Sequence, residues 1–382
     1  MMTYLFWITF GGIAYAYGGY TLLLWIFAGF VKENRPGPQT YKLPTVSLII
    51  SAYNEEDVIE EKILNTLSLD YPDDLLEINI VSDGSTDGTN EISARYRHKG
   101  LKLLVYEGRI GKTACLNKAV PLCSGEIIIF SDANSMYDGN AVKELVRNFQ
   151  YPAIGLVTGW TKYLSGKNTG TESTGLYTKI EILTKKLETR LGSCIGADGA
   201  IFAIRRNLYQ PLSDHDINDF VIPLNVLKKD FRVVLEPNAF CYEQTADDSK
   251  GEFARQVRIT NRTLRALFNY KELLNPLRYP VISFKIISHK YFKFLTPCFL
   301  IILLAANVLL LSHGFPYQIL LVGQLLLYCI SLSYYFFNEN FQNRILALGY
   351  SFVLVNIAYL MGWIKYLTGE SYSTWQPERK AR

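Results

Sequence analysis

The chain has 382 residues, 49% of them hydrophobic and 19% charged, which is more than one ordinary soluble domain needs and too polar for a chain lying wholly in lipid, so two compartments are expected. The apolar content and 14% aromatics exclude disorder, and six cysteines in this length exclude a small disulfide scaffold. A net charge of +4 on its own neither demands nor excludes nucleic acid, and no nucleic-acid polymer is expected as a partner.

From Leu5 to Val31 there is no charged residue, a run long enough to cross a hydrocarbon core about 30 Å thick at 1.5 Å per residue. It reads as a membrane helix within residues 1–35. A cleaved leader would need a basic start and small residues where bulky Trp25, Ile26 and Phe27 stand. The glycine pairs Gly11-Gly12 and Gly18-Gly19 leave a re-entrant or interfacial course open.

Residues 36–262 alternate strand and helix. Thr45 to Ser51 is a β-branched run expected to be a buried strand, and Val58, Ile59, Ile63, Leu64 and Leu67 follow at helical spacing. Leu75 to Val81 is a second strand ending in Ser82-Asp83-Gly84-Ser85, before a helix from about Thr86 to Lys99. Lys102 to Tyr106 is a third strand; a helix containing Thr113 to Val120 precedes a fourth, Glu126 to Phe130, which ends in Ser131-Asp132-Ala133-Asn134. This order predicts an α/β fold with a mostly parallel open sheet, which binds ligands beyond the carboxyl ends of its strands. Asn54, Glu55, Asp83 and Asp132 all fall there. Each alone reads equally well as a helix cap; together they point to one crevice.

Residues 263–291 mix Leu, Ile and Phe with Lys and Arg, as interfacial amphipathic helices do, and Tyr177 to Leu191 has a similar pattern. Three further apolar spans, Phe294 to Leu311, Tyr317 to Phe337 and Ile345 to Leu367, occupy 292–370 and are joined by short polar turns. Lys285, Lys290 and Lys293 stand before the first, which by the positive-inside rule places the intervening region in the cytoplasm and the N-terminus outside. Four crossings would then end outside, whereas the tail at 371–382 is basic and favours the cytoplasm. Trp363, Lys365 and Trp375 have the character of headgroup-level anchors. Cys115, Cys123, Cys194, Cys241, Cys298 and Cys329 lack the spacing of a zinc knuckle or redox motif and are expected to be reduced and mostly packed.

Gly111-Lys112-Thr113 suggests a nucleotide phosphate loop, but the glycine this would require at position 106 is Tyr106, so that match fails. Instead, five motifs in order resemble those of family 2 glycosyltransferases with the GT-A fold: Ser51-Ala-Tyr-Asn-Glu-Glu, Val81-Ser-Asp-Gly-Ser-Thr-Asp-Gly-Thr, Gly111-Lys-Thr-Ala-Cys-Leu-Asn, Ser131-Asp-Ala-Asn and Asn218-Asp-Phe-Val-Ile-Pro. The resemblance runs from about 44 to 262, and the flanking helices resemble the membrane-embedded polysaccharide synthases of that family.

That resemblance implies an inverting glycosyltransferase, a hexosyltransferase that moves sugar from a nucleotide-diphosphate donor to a lipid-linked or oligosaccharide acceptor among membrane lipids of the cytoplasmic membrane. The donor would be a uridine diphosphate sugar, the family's commonest. Ala52, Tyr53, Asn54 and Glu55 would line one donor wall, with Tyr53 on the pyrimidine, and Asp83 would contact base or ribose. Lys112 would reach uracil or phosphates; it reads otherwise as a solvated lysine beside a turn. A departing diphosphate calls for a divalent cation, Mg2+ or Mn2+, with Asp132 as ligand. The usual Asp-x-Asp loop ends here in Asn134, a neutral and weaker oxygen ligand. Asp219 matches the position of the catalytic base, which must take the acceptor hydroxyl's proton. Asp198 reads equally as a contact to the acceptor or donor sugar or as a turn residue. Aligning Arg258 with the Arg of the processive Gln-x-x-Arg-Trp motif keeps a diphosphate contact and brings Arg255 and Gln256 towards the acceptor, but places Ile259 where the stacking Trp belongs. The competing reading is a non-catalytic membrane scaffold that binds nucleotide sugar, suggested by Asn134.

Overall fold

The computed structural model describes residues 1–31, 42–165, 171–172, 175–244, 249–337 and 344–372; Trp375 and the basic tail lie outside them. The chain divides into two compact units, each discontinuous in sequence.

The larger unit, Leu24–Asp247 with Arg265–Leu273, is built on one nine-stranded sheet. Its strands are β1 (Val46–Ala52), β2 (Leu76–Asp83), β3 (Lys102–Tyr106), β4 (Ile127–Asp132), β5 (Met136–Tyr137), β6 (Ile154–Ser165), β7 (Thr171–Glu172), β8 (Ile201–Arg205) and β9 (Arg232–Gln244), in spatial order β3-β2-β1-β4-β8-β6-β9-β5 with β7 beside β6. β1 to β4 are parallel to one another, as expected. Val46, Leu48, Ile49 and Ile50 are all sealed from solvent, so the continuous apolar run reports a strand covered on both faces.

Beyond β4 the sheet turns mixed rather than mostly parallel: β8 is antiparallel to both β4 and β6, while β6 is parallel to β9. The β6/β9 ladder is irregular at Gly159. Its Cβ position is 2.4 Å from the Ala239 carbonyl, and the β6/β9 register shifts there, so glycine permits a close approach that bends the ladder.

The helices of this unit are α3 (Ile59–Leu67), α4 (Thr89–Arg95), α5 (Lys112–Ala119), α6 (Ala141–Val146), α7 (Leu176–Arg190) and α8 (Asn218–Lys228), following α1 (Met2–Ala14) and α2 (Tyr20–Gly29) at the N-terminus. Register fixes the site: Ser51 pairs with both Val81 and Asp132, and Ala52 pairs with Ser82, so the ends of β1, β2 and β4 lie along one sheet edge. The main core gathers Leu48, Ile50, Ile63, Ile80 and Ile129 beneath that edge. Cys115, Cys123, Cys194 and Cys241 are buried.

The second unit, Met1–Leu23, Asp248–Leu264 and Leu274–Ser371, contains α1, the first part of α9 (Ser249–Asn269), α10 (Pro280–Ile286), α11 (Phe292–Leu309), α12 (Phe315–Phe337) and α13 (Arg344–Leu367). α9 runs straight through residue 262, where a boundary was expected, and belongs to both units. Among the described residues, four helical stretches are long and apolar enough to cross a membrane: Met2–Gly29, Pro280–Leu309, Phe315–Phe336 and Leu346–Leu367. The second begins at Pro280 rather than Phe294, because one helix continues from α10 through a π-turn at Ile287–Tyr291 into α11. Lys285 and Lys293 are therefore buried inside a helix instead of preceding it. Phe6 of α1 is enclosed by Leu303, Ala306 and Leu310, and Gly12 lets α1 close on the Phe299 ring. Polar bonds tie the apolar helices, including Asn356 Nδ2 to the Tyr17 hydroxyl at 2.9 Å and Trp363 Nε1 to the Phe294 carbonyl at 2.9 Å.

Candidate active site

The loop after β1 is stitched to the loop after β2. Asn54, held at φ +52°, accepts from the Thr86 N–H at 2.8 Å, and its own N–H donates to Ser85 Oγ at 3.1 Å. Glu55 N–H donates to Thr89 Oγ1 at 2.8 Å, and Glu56 accepts from Gly88 N–H at 2.8 Å. The Asn54 side chain thus fixes the shape of the wall it was expected to line. Ala52, 3% exposed, closes the end of β1.

Gly84 brings a third loop into this arrangement. Its φ is +69° and a Cβ there would lie 2.4 Å from the Gly108 carbonyl, so only glycine allows the loops after β2 and β3 to touch. Gly84→Ala is expected to cost at least the ~1–3 kcal/mol of an unfavourable backbone conformation. A thermal unfolding midpoint equal to wild type would refute that reading.

The N-terminus of α5 joins the three carboxylate-bearing loops. The Asp83 carboxylate accepts from Ile110 N–H at 2.8 Å and Gly111 N–H at 3.0 Å. The next residue, Lys112, forms an ion pair with Asp132 at the end of β4. The residue after that, Thr113, donates to the Asp216 carbonyl at 3.0 Å, in the segment leading to Asp219. Further along α5, Asn117 donates to the Leu212 carbonyl at 2.7 Å and accepts from Leu212 N–H at 2.9 Å. Three consecutive residues therefore connect the ends of β2 and β4 to the start of α8. Here the Asp83 oxygens are engaged by backbone N–H groups and Lys112 by Asp132.

Asp219 sits in the first turn of α8, where a carboxylate suits the helix dipole. Its carbonyl accepts from Ala197 N–H at 2.7 Å, and its Oδ2 lies 3.1 Å from the Cβ position of Gly199. The turn at 196–199 is thereby pressed against it. Asp198, in that turn, accepts from Thr161 N–H at 2.9 Å and Ala200 N–H at 3.1 Å, so it ties β6 to the entry of β8 as a turn residue does.

Negative charge is concentrated beside the loop that follows β4. Burial, followed by the charges of Asp132, Asp87, Asp57 and Glu243, pushes the Glu55 carboxyl from 4.5 up to about 8. A carboxyl whose folded pKa is raised leaves stability intact below about pH 4.5 and removes it as pH rises to about 8, because the unfolded chain ionises first. In chelator, Glu55→Gln should flatten the fall in unfolding temperature across that window; an unchanged slope would show that Glu55 is not its source. This crowding is also what a bound cation would relieve. Asp132 and Asn134 offer a carboxylate and an exposed amide on one loop, hard oxygen donors suited to Mg2+ or Mn2+. Among the described residues no group of three His, Cys, Asp or Glu side chains could hold a metal, so diphosphate and water would complete the coordination.

The α9 residues belong to the other unit. There Gln256 Nε2 donates to Glu252 Oε1 at 2.7 Å and Arg255 Nε lies 3.3 Å from Glu252 Oε2; Arg258 lies on the same helix.

Two residues escaped the sequence reading. Arg109 lays its guanidinium over the Tyr53 ring, 4.0 Å from the centroid, and its Nε and Nη2 are buried with no hydrogen-bond partner among the described residues. Its position three residues before Lys112, in a loop bearing two glycines, was the available signal. Lys62, fully buried on α3, donates to the Ser135 carbonyl in the metal loop. The signal was its place between Ile59, Ile63 and Thr66 on the buried face of α3.

Residues 47–212 match the family model of glycosyl transferase family 2. The chain is 24% identical over 220 residues to a poly-beta-1,6-N-acetyl-D-glucosamine synthase of Staphylococcus epidermidis, covering 56% of this chain and 53% of that protein. The synthase of the same name from Staphylococcus aureus strain MSSA476 is 24% identical over 234 residues, covering 59% of this chain and 56% of that protein. These matches span about half the length of the curated relatives. The fold is similar to that of a mannosyltransferase from Pyrobaculum calidifontis, solved with GDP-Man and Mn2+, with a TM-score of 0.72 at 21% identity over 96% of this chain and all of that one. Ordered motifs, family match and fold agree: residues 47–212 are similar to glycosyl transferase family 2, and the chain has the α/β fold of GT-A type that the motifs implied.

Proposed function

We propose that the chain is an inverting glycosyltransferase that moves a sugar from a uridine diphosphate donor to a lipid-linked or growing polysaccharide acceptor at the cytoplasmic membrane. The observation that carries this reading is the α5 N-terminus, where Gly111, Lys112 and Thr113 in succession engage Asp83, Asp132 and the segment leading to Asp219. A nucleotide, a diphosphate and an attacking hydroxyl need such an arrangement around one cleft.

In this reading the nucleotide base lies on Tyr53, between the stitched loops and Asp83, and Arg109 moves from the Tyr53 ring as the base arrives. Lys112 exchanges Asp132 for the diphosphate. A divalent cation held by Asp132 and Asn134 would neutralise charge on the leaving group. Asp219 accepts the acceptor hydroxyl's proton as the new bond forms between the acceptor oxygen and the anomeric carbon and the bond to the diphosphate oxygen breaks. One in-line displacement inverts the anomeric carbon and needs no covalent enzyme intermediate. Four apolar helices and the basic stretch of α9 support action on a substrate held in or moving through the bilayer, with the catalytic domain on the cytoplasmic side.

Purified protein in detergent, supplied with a panel of sugar nucleotides, Mn2+ or Mg2+ and a lipid extract, should release nucleoside diphosphate and label a lipid or polymer. Donor binding without release under every condition would instead identify a non-catalytic scaffold.

A further inference from the structure

Lys62 has no role in the reaction described above, yet it is the most deeply buried cation of the catalytic unit, with 0% exposure. A buried ammonium is costly unless paired or bonded. Lys62 donates to the Ser135 carbonyl, lies 4.1 Å from the Tyr137 ring centroid and, buried, faces Cys241 and Glu243 of β9 and Asp132 at the end of β4. One turn further along α3, Asn65 donates to the Tyr137 carbonyl at 2.9 Å and accepts from the Tyr137 N–H at 2.8 Å. Ser135, in turn, donates its hydroxyl to Glu243 on β9. The segment carrying Asp132 and Asn134 is thus gripped from behind at Ser135 and Tyr137 by one face of a helix that begins four residues after Glu55.

We infer that Lys62 is a positioning residue for cation binding, which with Asn65 holds the Asp132–Asn134 loop in the geometry that receives a divalent cation and fixes that loop relative to the donor wall at the head of α3. A β4–β5 connection of three residues has little intrinsic rigidity, so three bonds from α3 and one from Glu243 decide its shape. A surface lysine could not do this: its ammonium would stay hydrated and its bond to one carbonyl would compete with water.

This inference rests on the assignment of Asp132 as a metal ligand, and the test separates the two. Mn2+ retained by the full-length protein in detergent, with uridine diphosphate present to complete the coordination, is measured by electron paramagnetic resonance after unbound ion is removed, for wild type, Lys62→Met, Asn65→Ala, Ser135→Ala and Asp132→Ala. Lys62→Met keeps the aliphatic volume, removes the charge and is expected to raise the Mn2+ Kd about tenfold, with the far-ultraviolet circular dichroism unchanged. Ser135→Ala, which loses only the link to Glu243, should raise it about threefold. Asp132→Ala should abolish binding at the site. Retention of full binding in Asp132→Ala overturns the metal assignment itself. Loss in Asp132→Ala with wild-type affinity in folded Lys62→Met overturns the positioning role. Should Lys62→Met fail to fold, Asn65→Ala, which loses both bonds from α3 to the Tyr137 backbone, decides, an unchanged Kd counting against the clamp and a raised one for it.

Discussion

Asp219→Asn should abolish sugar transfer while leaving donor binding nearly intact. The substitution keeps the shape of the side chain at the first turn of α8 and the contact with Gly199, and removes only the ability to accept a proton. General base catalysis accounts for about 10²- to 10⁴-fold in rate, and the loss should fall in that range and in kcat, not in donor KM. Transfer from a radiolabelled sugar nucleotide measures it. Full activity in the variant would remove Asp219 from the mechanism and leave no base at the start of α8.

Asp132→Ala should fail differently. Asp132 ends β4, pairs with Lys112 and carries the carboxylate of the proposed cation site, so its loss affects the leaving group and the organisation of α5 together. A fall on the order of 10²- to 10³-fold in kcat is expected from lost charge stabilisation, with weaker donor binding and lost Mn2+ dependence. The contrast between the variants is the informative result: one spares the donor and the other does not. Equal donor affinity and unchanged metal dependence in Asp132→Ala would place the diphosphate elsewhere.

Much of the first half of the fold was legible because physics leaves few choices there. Thr45–Ser51 and Ile127–Phe130 are unbroken apolar, largely β-branched runs, and only a doubly covered parallel strand suits them. The polar residues that follow had to lie at the strand ends, and did. β6 and β9 were harder to read, since Gly155, Gly159 and Pro237 look like breakers until the close approach of Gly159 to Ala239 is seen. Residues 280–293 misled for a related reason. Lysines mark the end of a hydrophobic run in sequence, but Lys285 and Lys293 are sheltered within the second unit and the helix need not stop for them.

The places of the candidate residues at strand and helix ends were legible in the sequence; their bonding partners were not. Asp83, Asp132 and Asp219 stand at the ends their motifs implied, whereas no sequence pattern states that Asp83 would bind backbone N–H groups or that Lys112 would bind Asp132. Asp198 shows the converse. Its tight turn allowed two readings, and its bonds to Thr161 and Ala200 are those of a turn residue. Lys62 and Arg109 depend on tertiary neighbours, Ser135 and Tyr53, that lie far away in sequence.

The central claim is that one cleft, framed by the ends of β1, β2 and β4 and the start of α8, holds the nucleotide sugar. An electron cryomicroscopy structure of the full-length protein with a uridine diphosphate sugar and Mn2+ tests it directly. The base should lie on Tyr53 with Arg109 displaced, the diphosphate should contact Lys112 and the metal at Asp132, and the anomeric carbon should face Asp219. Nucleotide bound away from these loops, or an anomeric carbon beyond reach of any acceptor oxygen bonded to Asp219, would contradict the account.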